Sequence, residues 1–199
     1  ANEVPDLGAV VANGSTSFKL WAPTAQAVSL VLSTPVNGGM LSRTSTEPMT
    51  RDAATGVWSL RKPGSLQGAS YRYQVQVFVK GTGLVKNLVT DPYSLGLGLG
   101  GQQSVVMDLN AAATKPAGWD ASAPPATVSA PSDMSIYELH VRDFSINDAT
   151  VPAARRGKYQ AFAEAHSDGM RHLKALATAG LTDVHLLPVF DIASVNEKS

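Results

Sequence analysis

The sequence contains no cysteine, which removes disulfide frameworks, thiolate nucleophiles and thiolate metal sites together. That fits a reducing compartment, and equally the many exported bacterial proteins that lack disulfides. Neither sign of charge is in excess. Sixteen lysines and arginines balance sixteen aspartates and glutamates, so no whole-chain field recruits nucleic acid or an anionic membrane. No apolar run approaches the ~20 residues that cross a bilayer. The opening Ala1-Asn2-Glu3-Val4-Pro5 lacks an initiator methionine, a basic region and an apolar region, so it is no signal peptide. It reads as cut from something longer, which leaves localisation unread.

What is present is an ordinary globular composition over 199 residues, enough for one large domain or two small ones. Up to about residue 110 the pattern is short strands and turns. Asn13-Gly14 joins two alternating runs as a hairpin turn would, and this explains the formal sequon Asn13-Gly14-Ser15. Val28, Leu30 and Leu32 alternate, as do Tyr71, Tyr73, Val75, Val77 and Val79 against Arg72, Gln74 and Gln76. Phe78 interrupts that polar face. Thr90-Asp91-Pro92-Tyr93 turns the chain towards a last strand from Ser104 to Leu109. Such spacing without a helix predicts an antiparallel, immunoglobulin-like β-sandwich over residues 1–110. Gly96-Leu97-Gly98-Leu99-Gly100-Gly101 matches a nucleotide-loop pattern, but it opens no helix and so lacks the N-terminus that would hold phosphate. Trp21 and Trp58 have two readings: platforms on which sugar rings stack, or buried core and interface residues. Large aromatics in a small sandwich favour the second.

Residues 111–133 are rich in Ala, Pro, Ser and Thr and predict an extended linker, with Trp119 anchoring it to a domain surface. From residue 134 the character changes. Ile136 to Phe144 reads as one strand covered on both sides, with Glu138 and His140 on one face and in need of hydrogen-bond partners. The segment from Ser145 to Tyr159 reads as a polar loop whose Arg155-Arg156-Gly157-Lys158 run is solvated surface. A helix capped by Ser167 carries the stripe Met170, Leu173, Leu176 and Ala177, and Gly180 stops it. Val184 to Phe190 is a second strand. His166, His172 and His185 have no metal-ligand spacing and read as structural. Strand, helix, strand is a parallel βαβ unit. One such unit leaves edges unpaired, so residues 134–199 are expected to be an incomplete domain.

Several motifs together carry a family resemblance across nearly the whole chain. Phe18-Lys19-Leu20-Trp21-Ala22-Pro23-Thr24-Ala25, Tyr71-Arg72-Tyr73 and Thr90-Asp91-Pro92-Tyr93-Ser94 resemble the β-sandwich module preceding debranching enzymes of the α-amylase class. Tyr137-Glu138-Leu139-His140-Val141-Arg142-Asp143-Phe144 is similar to their first barrel strand. His172-Leu173-Lys174, Ala179-Gly180-Leu181-Thr182 and Val184-His185-Leu186-Leu187-Pro188-Val189-Phe190-Asp191 are similar to their first helix and second strand. The insert from Thr150 to Tyr159 resembles pullulanases and plant limit dextrinases more than isoamylases or branching enzymes.

The resemblance implies the start of a (β/α)₈ TIM barrel and a retaining, two-carboxylate hydrolysis of α-1,6 branch linkages in pullulan, starch or limit dextrin. It implies an α-glucan as partner, together with the rest of the barrel in the same parent chain, and neither nucleic acid nor a membrane span. It places no catalytic residue in this chain, since those positions are expected beyond Ser199. Asp143, Phe144, Phe190 and Asp191 fall at strand ends facing a barrel cleft and become candidate substrate-contact positions; Trp58 is the candidate on the sandwich. No cofactor is implied for this stretch, and a structural calcium is expected, if anywhere, in the parent enzyme. A secreted or cell-surface bacterial parent is compatible with all of this. Two alternatives stay open: a non-catalytic glucan-binding or docking module, and a piece of an isoamylase or branching enzyme.

Overall fold

The computed structural model describes residues 4–36, 41–123 and 128–189. It divides into two units, one ending at Asp120 and the other beginning at Ala121. In the first unit β1 (Gly8–Ala12), β2 (Ser15–Trp21), β6 (Val57–Pro63) and β5 (Thr50–Arg51) form an antiparallel sheet in the order β1-β2-β6-β5. A second antiparallel sheet contains β3 (Ala27–Val36), β4 (Leu41–Pro48), β7 (Ser70–Val79), β8 (Gly83–Val89), β9 (Gly96–Leu97) and β10 (Ser104–Val105). Its order is β4-β3-β7-β10-β9, and β8 pairs with the remaining length of β7.

The hairpin between β1 and β2 forms because Asn13 and Gly14 both take positive φ, 50° and 69°, the backbone that a two-residue turn of this hand requires. Alternation then sends Phe18 and Leu20 of β2 and Trp58 of β6 into one core with Val28, Leu30, Leu32, Tyr71 and Tyr73 of the second sheet. Each fully buried apolar side chain of this kind contributes roughly 1.5–3 kcal/mol relative to exposure. Phe18, Tyr71 and Tyr73 interlock edge to face, with centroids 5.1 and 5.7 Å apart. Gly96 to Gly101 lies on β9 and a single 3₁₀ turn, with no α-helix behind it.

The connector departs from the extended reading. It contains 3₁₀ turns at Ala112–Thr114, Trp119–Ala121 and Pro131–Asp133, the last started by a proline whose fixed φ suits the first helical position. Trp119, expected as an anchor, is 61% exposed.

In the second unit, β11 (Ile136–Leu139) pairs in parallel with β12 (Asp183–Leu186), and α2 (Asp168–Thr178) lies between them in sequence. The expected nine-residue strand is corrected here. The paired strand ends at Leu139, His140 is still extended, and Val141–Ser145 forms a short helix, α1, whose N-cap is His140. The cause is local: the His140 ring nitrogen Nδ1 accepts the Asp143 backbone N–H at 3.3 Å, satisfying one of the donors that a helix start leaves orphaned. Likewise the strand expected from Val184 to Phe190 is observed from Asp183 to Leu186.

The segment from Ser145 to Tyr159 is wired as well as solvated. Arg156 donates to the carbonyls of Val151 and Ala149, and Arg155 pairs with Glu164. The same segment finishes the start of α2. The Asp168 N–H donates to Thr150 Oγ1, the Gly169 N–H to Asp148 Oδ2, and the Met170 N–H to the expected cap, Ser167 Oγ. The Thr150 hydroxyl and the Gly169 N–H donate to the Asp148 carboxylate and hold its pKa below the usual value. A depressed carboxylate lends stability above its unfolded pKa of about 4 and loses it as pH falls through the folded value. Asp148→Ala should therefore speed amide exchange at Gly169 by on the order of tenfold at neutral pH. The wild-type protection should fade in acid below about pH 4. Unchanged exchange in the variant would remove this tie from the account.

Candidate functional site

The motif Trp21-Ala22-Pro23 forms a knot with β6. The Trp58 indole N–H donates to the Ala22 carbonyl at 3.0 Å, the Trp21 indole N–H to the Thr55 carbonyl at 3.1 Å, and the Arg51 guanidinium to the Pro23 carbonyl at 3.1 Å. Gly56 lets the chain pass beneath Pro23. Its φ is +72°, and a Cβ there would meet Pro23 Cβ at 2.7 Å and Cα at 3.0 Å. Gly56→Ala combines a disfavoured backbone with a collision, so a loss of about 2 kcal/mol is expected in urea unfolding. An unchanged midpoint would contradict the knot.

The two tryptophans separate cleanly. Trp58 is 7% exposed and belongs to the core, which closes its ring faces to a sugar. Trp21 is 43% exposed and continues the outward row Ser17, Lys19, Trp21 on β2, opposite Arg61, Ser59 and Val57 on β6. A groove of about 570 Å³ lies on this face, lined by Asp6, Asn13, Lys19, Ser59 and Arg61 among others. Lys19 Nζ is held by both Asp6 carboxylate oxygens at 2.7 Å, and Arg61 Nε donates to Ser15 Oγ at 2.8 Å.

Asp91, a turn residue in the sequence, is held from several sides. It is buried and accepts the hydroxyls of Tyr71 at 2.8 Å and Tyr73 at 3.2 Å through Oδ2, and the Tyr93 N–H through Oδ1. Its own N–H donates to buried Ser104 Oγ at 2.8 Å. Burial raises its pKa against those hydrogen bonds. Burial first, and the Asp91 charge second, push both tyrosine hydroxyls far above the usual phenol value. A tyrosine at each of two successive core-facing positions, followed by an Asp-Pro turn, is the signal that would have exposed this cluster.

In the second unit Phe144 stacks on Phe162 with centroids 4.8 Å apart and planes 5° from parallel. The tip of its ring lies close enough to Gly169 that a Cβ there would meet Cζ at 2.8 Å. Phe144 is therefore half-buried among its own neighbours. Asp143 is exposed, beside Arg142 at 3.3 Å. Phe190 and Asp191 lie outside the described residues. Glu138 finds its partner on the neighbouring strand, at 3.2 Å from His185 Nδ1, the residue facing it in the β11–β12 register. His140, expected beside Glu138, is instead the cap of α1. Among the described residues no three His, Asp or Glu side chains gather as a metal site, and no helix is long and apolar enough to cross a membrane.

A two-sheet antiparallel sandwich hosts many functions, so its class is read from its relatives. Residues 6–94 match carbohydrate-binding module 48, the isoamylase N-terminal domain. The whole chain is 43% identical to a pullulanase of Klebsiella pneumoniae, of which it spans 18%. The crystal structure of PulA from Klebsiella oxytoca matches all of this chain and 19% of its own, with TM-score 0.88 and 42% identity. A maltotriose complex of a Klebsiella pneumoniae PulA mutant matches 96% of this chain and 21% of its own, with TM-score 0.85 and 41% identity. By sequence and fold the chain is similar along its whole length to one part of these pullulanases, and it spans about a fifth of their length.

Proposed function

We propose that this chain is part of a glycoside hydrolase that cleaves α-1,6 branch linkages in pullulan, starch or limit dextrin. The observation that carries the reading is the match of the entire chain, second unit included, to pullulanases by both sequence and fold. In this reading the first unit is the glucan-facing module. The parallel β11–α2–β12 unit opens a (β/α)₈ barrel, whose catalytic groups stand at the C-terminal ends of its strands. Leu139 and Leu186 end the two strands, and Asp143 follows on α1 at that end, exposed to solvent. It is the described member of the candidate substrate contacts that is open to a ligand. Phe144 acts from behind it by fixing α1 on Phe162.

Retaining hydrolysis needs two carboxyl groups about 5–5.5 Å apart, one as nucleophile and one as acid/base. Three described carboxylates are engaged within the fold: Glu138 with His185, Asp148 with the start of α2, and Asp91 with the sandwich core. The catalytic pair is assigned to other strands of the parent barrel, together with any structural calcium. The purified 199-residue chain should accordingly release no reducing sugar from pullulan. Release above a blank would overturn this division of labour.

The sandwich supports a second reading, a glucan-binding module that works without the barrel, favoured by the carbohydrate-binding family match over residues 6–94. Retention of the chain on an amylopectin gel tests it.

A further inference from the structure

We propose that the outward face of the β1-β2-β6-β5 sheet is the glucan-binding surface of this chain, with Trp21 as its stacking platform and Lys19, Asp6 and Arg61 as its polar contacts. The inference rests on the reading of the first unit as a glucan-facing module and gives that module a site.

Four observations converge. Alternation along β2 buries Phe18 and Leu20 and so aims Ser17, Lys19 and Trp21 outward in one row. At the strand rise, Lys19 and Trp21 stand about 7 Å apart along it. The groove of about 570 Å³ that includes Ser17 and Lys19 is large enough for a short oligosaccharide; pockets for small ligands run from about 300 to 1,000 Å³.

The polar groups are held in place before any ligand arrives. Lys19 is fixed by both oxygens of Asp6, yet an ammonium keeps a third N–H and a carboxylate keeps unused lone pairs. A fixed donor beside a fixed acceptor matches two adjacent hydroxyls of a sugar, each of which both donates and accepts. Arg61 is oriented by Ser15 and offers further N–H groups to the same groove.

The Trp21 ring is likewise oriented, because its N–H is bound to the Thr55 carbonyl while much of the ring remains in solvent. Indole presents a large rigid apolar face at low entropic cost, which suits the C–H face of a glucose ring. The groove mixes one carboxylate with two cations and so matches a neutral polyol better than a polyanion.

The experiment is a titration of the full 199-residue chain with maltoheptaose, read by intrinsic tryptophan fluorescence and by calorimetry. Lys19→Ala, Trp21→Ala and Trp21→Phe are compared, and near-ultraviolet circular dichroism confirms that each variant is folded. The expected result is saturable binding by the wild type, weakened about tenfold or more by Trp21→Ala and severalfold by Lys19→Ala. Trp21→Phe should retain most of the affinity but lose most of the fluorescence change. Lys19→Ala is the second probe should Trp21→Ala fail to fold. Wild-type binding that survives both Lys19→Ala and Trp21→Ala overturns the site and leaves the glucan-facing module standing. No binding by the folded wild type overturns both, and leaves the debranching assignment to be judged on the parent enzyme.

Discussion

Trp58→Ala is expected to cost about 3–5 kcal/mol, the range for removing a large buried aromatic from a packed core. The indole is 7% exposed, packs within the cluster that joins both sheets, and ties its N–H to the Ala22 carbonyl. Alanine would remove the ring, open a cavity between the two sheets, and leave a carbonyl of the Trp21-Ala22-Pro23 knot without its donor. A domain of this size has only some 5–15 kcal/mol in hand, so its thermal midpoint should fall by on the order of 15 °C or more. Urea unfolding followed by circular dichroism measures it. A loss under about 1 kcal/mol would mean the indole does not bridge the sheets. The result also bears on sugar binding: loss of amylopectin retention in this variant would report a damaged fold rather than a missing contact.

The second large effect belongs to Asp91→Ala. Two tyrosine hydroxyls in the core, at Tyr71 and Tyr73, have this carboxylate as their partner, as does the Tyr93 N–H. Leaving buried hydroxyls unsatisfied costs roughly 1–3 kcal/mol each before relaxation, so a net loss of about 3 kcal/mol is expected near neutral pH. Tyr71→Phe with Tyr73→Phe removes the same bonds from the other side and should recover part of the loss when combined with Asp91→Ala, because no hydroxyl is then left stranded. A strictly additive triple variant would show that the three groups do not act as a unit.

The pH dependence follows from the signs. Both tyrosines have folded pKa values above the unfolded value of about 10, chiefly through burial and then through the Asp91 charge. Their contribution is therefore complete below about pH 10 and is lost as pH rises through the folded values. The Asp91 pKa is also raised, so its share is complete below its unfolded value of about 4 and is already declining as pH rises above that. Alkaline unfolding above about pH 10 should be steep in the wild type and shallower in the double phenylalanine variant.

The sandwich was legible wherever a strand has one buried face. Asn13-Gly14 declared its hairpin through backbone geometry, and the Tyr71 to Val79 alternation declared β7. Leu41–Pro48 and Gly83–Val89 carry no clear strand signal in the sequence. As β4 and β8 they border β3 and β7, and β8 leaves Leu84 and Leu88 exposed. An edge strand is held by its ladder, and that leaves little apolar period in the sequence.

The helix α2 was announced at both ends, by Ser167 and by Gly180, because capping is local chemistry. The end of β11 was hidden because its stop depends on His140 accepting the Asp143 amide, a bond with no counterpart in hydrophobic pattern. For the candidate site the same division holds. Alternation along β2 already sets Trp21 on the face opposite Phe18 and Leu20, whereas the Asp91 cluster requires three chain segments to meet.

The central claim is that the protein containing this chain cuts α-1,6 linkages. It is tested most directly by digesting pullulan with the purified parent enzyme and separating the products. The account predicts accumulation of maltotriose by the parent and no product from the 199-residue chain alone. An inert pullulan substrate, with new branches appearing in amylose under the same conditions, would contradict it.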